Sequence, residues 1–161
     1  MAEIALARVD GRLIHGVVVA SWTPNCGADT LIAVDDVTAS DEFLVSIMKS
    51  SVKSVDCAIL SAQQFADYWN QGEFDDRKIF VVFKSVDMAY KTIKAGVKID
   101  SLQLGYTIPS PDKTIVINEK TVKVSPGDVE KLRTLNKDHN VNVFVQYSPQ
   151  FTAVPYTKWD V

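Results

Sequence analysis

The sequence predicts an α/β fold: a doubly wound, mostly parallel sheet with helices on both faces and one local antiparallel hairpin. Three observations carry this. Strand-like apolar runs alternate along the chain with capped, amphipathic segments, the rhythm of βαβ units joined by short connections. Runs such as "EIALARV" (3–9) and "KIFVVF" (78–83) are apolar with little alternation, as strands covered on both faces are. In "KTIVINEKTVKV" (113–124), two short β-branched runs flank Asn118-Glu119, the pattern of a hairpin.

Taken in order, 3–9 is the first strand. The segment after His15, "GVVVASW", holds three consecutive valines, which favour a strand by propensity. Leu13, Val17, Ala20 and Pro24 nevertheless keep helical spacing, so a helix ending at Pro24 is expected. "DTLIAVDD" (29–36) is the second strand, followed by a helix striped with Phe43, Leu44, Ile47 and Met48. "VDCAIL" (55–60) leads to Ser61 and Gln64, at capping-box spacing, and a helix through Trp69. Strand 78–83 precedes Ser85 and a helix ending near Gly96; "SLQLG" (101–105) follows. After the hairpin, Ser125-Pro126 supplies an N-cap and a first-position proline for a helix to about Lys137. "VNVFVQY" (141–147) is the last strong strand. The tail, 148–161, carries Phe151, Tyr156 and Trp159, too aromatic for a free end, and is expected to pack on the domain or on a neighbouring subunit.

The 161 residues suit a single domain, 1–161, large enough to bury a real core. A net charge of −3 without a basic block argues against nucleic-acid binding. The start carries an acid at Glu3 and no targeting pattern, and apolar runs fall well short of the ~20 residues of a membrane span. Cys26 and Cys57 stand apart from each other and from both histidines, which fits a reduced cytoplasmic protein with no metal site or disulfide framework.

In an open parallel sheet, ligands bind beyond the carboxyl ends of the strands. The groups expected there are Asp10 to His15, Asp35-Asp36, Ser61, Lys84-Ser85 and Gly105. His139, at a helix end among polar residues, reads as a solvated residue favoured by the helix dipole. His15 alone would read as a histidine bonded to a loop carbonyl, but its company differs. Arg8 and Arg12 disfavour a charged imidazolium, and a neutral ring is what a nucleophile requires. Gly16 and Val17 would open a helix whose free amides favour an anion. Asp10 could bind one ring nitrogen and leave the other free to attack. Such parts suit a histidine that accepts and donates a phosphoryl group, whose charge arginine forks stabilise.

The segment "ARVDGRLIHGVVVASW" (7–22) resembles the IIB component of the bacterial phosphoenolpyruvate-dependent sugar phosphotransferase system, mannose–fructose–sorbose branch. Arg8, Asp10, Arg12, Leu13, Ile14, His15 and Gly16 match its R-x-D-x-R-L-I-H-G pattern, and "IAVDD", "DEF" and "KTVKVSPGDVEKL" are similar to later family segments. The resemblance implies a cytoplasmic phosphocarrier, peripherally associated with its membrane transporter. In that role His15 takes phosphate from a phosphohistidine on IIA and passes it to a sugar held by the membrane components IIC and IID. Asp10 orients His15, Arg8 and Arg12 stabilise phosphate charge, and Gly16 and Val17 bind it; no metal or organic cofactor is expected. Asp36, Ser61, Lys84 and Gly105 are expected at a partner-facing rim, and a homodimer fits the family habit of self-association. One stretch departs from the pattern: where the family has an Asn-Val-Gly-Gly-like turn, this chain reads "QLGYTIPSPDKT" (103–114).

Two other readings compete with this one. Asp35 falls where a nucleotide-binding fold carries its ribose-binding acid, but the loop lacks G-x-G-x-x-G. Asp10, Asp35 and Asp36 could surround magnesium in a signalling module, yet adjacent acids at a strand end are usually turn and capping residues. Removing Arg8 or Arg12 is expected to slow transfer while sparing the fold; unchanged transfer rates in both variants would contradict the roles assigned to them.

Overall fold

The computed structural model describes residues 1–118, 120–159 and 161. Strands β1 (Glu3–Asp10), β2 (Thr30–Val34), β3 (Asp56–Leu60), β4 (Lys78–Phe83) and β5 (Ser101–Tyr106) are joined by helical connections. These are a π-helical turn at Val17–Trp22 running into α1 (Thr23–Cys26), then α2 (Asp36–Ala39) and α3 (Glu42–Ser51), α4 (Ala62–Asn70) and α5 (Val86–Lys94). Beyond β5 come the hairpin β6 (Ile115–Asn118) and β7 (Val122–Val124), α6 (Pro126–His139), β8 (Asn142–Val145) and β9 (Val154–Pro155). The main sheet has the order β3-β2-β4-β1-β5-β8-β9 and is parallel through β8; β9 joins antiparallel, and β6–β7 form a separate antiparallel pair. The expected hairpin is therefore present, although Glu119 lies outside the described residues.

Strand pleating sorts the apolar side chains onto two faces. Ile32, Val34, Ile79, Val81 and Phe83 pack under α4, α5, α6 and the hairpin. Leu31, Ala33, Phe80 and Val82 pack under the π-helical turn and α3, with Leu13, Val18 and Trp22. Helices thus cover both faces, and continuous apolar runs are what such strands require. Ser61 with Gln64 forms the expected capping box, and Ser125, the expected N-cap, forms a second one with Asp128.

Three local expectations change. Pro24 does not end the helix after His15: it sits in the first turn of α1, where its missing N–H is no loss, and Gly27 ends the helix in the left-handed region (φ 69°). The turn before it is π, so the buried side chains are Val18 and Trp22, and Ala20 is exposed. In α3, Phe43, Leu44 and Ile47 are exposed; of the expected stripe Met48 faces the core, together with Val45. The tail lies on its own chain through β9, with Tyr156 and Trp159 edge-to-face at 5.2 Å and packed against the main cluster.

Candidate functional site

The carboxyl ends of β1, β5 and β8 bring together groups from distant parts of the chain. From β1, the connection leaves over one face of the sheet, and from β5 over the other, which opens a crevice between them. Asp10 closes β1 there, fully buried. Its Oδ2 accepts from His15 Nε2 at 2.9 Å, from Arg8 Nη2 at 3.1 Å and Nε at 3.2 Å, and from Arg12 Nη2 at 3.3 Å. Its Oδ1 accepts from the Arg12 amide at 3.1 Å and from Arg12 Nε at 3.2 Å. Burial alone would push this carboxyl up; the hydrogen bonds from His15 and Arg12 and the charge of Arg8 outweigh it and hold it at about 2.

His15 keeps 17% of its side chain exposed, and with Nε2 on Asp10 its Nδ1 has no hydrogen-bond partner among the described residues. The turn bearing it contains Leu13 in the left-handed region (φ 54°), an unfavourable conformation for leucine that its complete burial holds in place. Gly16 follows, exposed and in helical conformation, with open space on its Cβ side, so the amides of Gly16 and Val17 begin the helix beside the imidazole.

The two arginines do different things. Arg8 is completely buried, and besides Asp10 it donates through Nη1 to Gln103 Oε1 (2.6 Å) and to the Gln146 carbonyl (2.9 Å). Trp22 covers it at 5.6 Å and itself donates to the Tyr147 carbonyl. Burial lowers the Arg8 pKa while Asp10 opposes that shift. Arg8, expected to stabilise phosphate charge, has its fork enclosed and engaged with Asp10, Gln103 and the Gln146 carbonyl. Arg12 is the outer cation, with 34% of its side chain exposed. Its guanidinium lies 4.2 Å over the Tyr106 ring and donates to the Tyr147 hydroxyl at 3.2 Å.

Gly105 is also not a rim residue. It is buried, and a Cβ placed on it would meet Arg8 Cζ at 2.0 Å. The β1–β5 register skips it, pairing Val9 with Leu104 and Asp10 with Tyr106. Other rim candidates serve as caps and ion pairs. Asp35 caps α2 by accepting from Thr38 and lies 3.8 Å from Lys84 Nζ. Asp36 accepts from the Ala62 amide, and Ser61 caps α4. These engagements account for the acids that the nucleotide and magnesium readings would have used. His139 ends α6, exposed. Gln103, Gln146, Trp22, Tyr106 and Tyr147 escaped the sequence reading. A glutamine inside the otherwise apolar run "SLQLG" was the available signal, because a buried amide demands a partner.

Residues 4–156 match the family model described as the PTS system sorbose subfamily IIB component. The chain is 28% identical over 149 residues to the N-acetylgalactosamine-specific phosphotransferase enzyme IIB component 1 of Escherichia coli K12, covering 91% of this chain and 92% of that protein. It is also 28% identical to the mannose-specific EIIAB component of the same strain, across 83% of this chain but 41% of that longer protein. Among solved structures, manxB from Thermoanaerobacter tengcongensis superposes with a TM-score of 0.88 at 27% identity, covering 98% of this chain and 94% of that one. No helix among the described residues is long and apolar enough to cross a membrane.

Two outcomes follow from this geometry. Gly105→Ala forces the Arg8 guanidinium aside and lowers the unfolding free energy by about 1–3 kcal/mol, read by urea denaturation. Because the Asp10 pKa is depressed on folding, its stabilisation is present above pH ~4 and is lost as pH falls toward about 2, on the order of 2 kcal/mol. Asp10→Asn should flatten that limb of a stability–pH curve; an unchanged limb would contradict the assignment.

Proposed function

We propose that this chain, which belongs to the sorbose-subfamily IIB components of the sugar phosphotransferase system, carries a phosphoryl group on His15 Nδ1 between a phosphohistidine donor and an imported sugar. The observation that carries this reading is the 2.9 Å contact of Nε2 with Asp10, which leaves the Nδ1 lone pair to act as nucleophile. Nδ1 attacks the phosphorus of the donor's phosphohistidine as the donor's N–P bond breaks, and the donor imidazole departs with that electron pair. The accepting ring keeps its proton on Nε2 and gains positive charge, which the Asp10 carboxylate stabilises. Arg12 and the amides of Gly16 and Val17 face the charge on the phosphoryl oxygens. Arg8 holds Asp10 in place. In the second half-reaction a sugar hydroxyl oxygen attacks the phosphorus as the Nδ1–P bond breaks; the electron pair of that bond returns to Nδ1, the hydroxyl proton passes to water, and His15 regains its starting state.

The partners in this reading are a IIA protein or domain as donor and the membrane components IIC and IID with their sugar as acceptor, reached from the cytoplasm. Support for a IIA donor comes from the mannose-specific EIIAB relative, whose name joins the two functions in one chain.

Incubation with a phosphorylated IIA donor should place an acid-labile, base-stable label on the chain. His15→Ala should abolish that label, and Arg12→Ala should slow its appearance by about 10²-fold. Equal labelling of the His15→Ala protein would overturn the assignment.

A further inference from the structure

Arg12 stands apart from the rest of the cluster as the most exposed of the three side chains that bond the buried carboxylate, at the surface where a donor must arrive. Long cationic side chains sample many rotamers in solvent, and a phosphoryl-transfer site gains from having that freedom removed beforehand. Here the constraint comes from two aromatic residues at the ends of neighbouring strands. The Tyr106 ring lies under the guanidinium at 4.2 Å, and the Tyr147 ring lies at 5.4 Å with its hydroxyl accepting from Nη1 at 3.2 Å. Nε and Nη2 lie on Asp10 at 3.2 and 3.3 Å. An arginine has five N–H groups. With Nε, one Nη1 and one Nη2 hydrogen engaged, two remain without a partner among the described residues. That pair suits two oxygens of one phosphoryl group.

We infer that Tyr106 and Tyr147 are positioning residues that clamp Arg12 in its phosphoryl-binding pose. The inference rests on the carrier reading above and adds two residues to it. Tyr106 is half-buried and packs on a partly exposed side chain, so its ring acts locally on Arg12.

The test pairs a structural and a kinetic measurement on the intact chain. In an NMR spectrum of the free protein, the Arg12 Nε–H signal should carry a ring-current shift that Tyr106→Leu removes and Tyr106→Phe retains. In single-turnover transfer from a phosphorylated IIA donor, Tyr106→Leu should lower the saturating rate about tenfold with little change in donor affinity, and Tyr106→Phe should transfer at the parent rate. Tyr147→Phe should give a smaller loss, having lost only the hydroxyl. Combined with Arg12→Ala, Tyr106→Leu should cost nothing further. An unshifted Arg12 signal in Tyr106→Leu, or the same tenfold loss when Arg12 is already absent, overturns the clamp while His15 labelling leaves the carrier reading standing. Failure of the parent protein to label His15 overturns both.

Discussion

Six hydrogen bonds converge on the buried carboxylate of Asp10: two from Arg8, three from Arg12 and its amide, and one from His15. An isolated carboxylate without solvent contact would be severely destabilising, and one arginine would only balance it. Two arginines leave the cluster with a net positive charge before any anion arrives. The site is therefore built to hold more negative charge than Asp10 supplies, which is the electrostatic condition for a phosphoryl group.

Most of the neighbouring architecture can be traced to keeping that carboxylate in place. Arg8 is buried against Asp10, and the adjacent strand presents Gln103 to its fork and a glycine where any side chain would collide with it. The π turn after His15 sets Trp22 over the same guanidinium. Exposure then increases outward, from enclosed Arg8 and Asp10 to His15 and Arg12, which are partly exposed. The proposed carrier role, with its two partners, calls for this gradient: charge fixed within, reacting groups accessible without.

Strand order of chemistry along the sequence was legible because it depends on short-range patterns. Unbroken apolar runs identified the parallel strands, Ser61, Ser85 and Ser125 identified helix starts, and the spacing of Arg8, Asp10, Arg12 and His15 identified one loop. What stayed hidden depends on which strands become neighbours. Nothing local to "SLQLGY" says that Gln103 and Gly105 lie beside Arg8, so Gly105 read as a surface residue. Three valines obscured the π turn, since the hydrogen-bond shift that carries the helix past Pro24 leaves no propensity signature. The short β9 pairing was equally invisible, being fixed by the exposed edge of β8 rather than by its own residues.

The central claim is that Asp10 commits one ring nitrogen of His15 and thereby selects the other. It is tested most directly by phosphorus–nitrogen correlation NMR on the 15N-labelled, phosphorylated protein. The account predicts coupling of phosphorus to Nδ1 of His15, with Nε2 still protonated. Coupling to Nε2, or to any other residue, would contradict it.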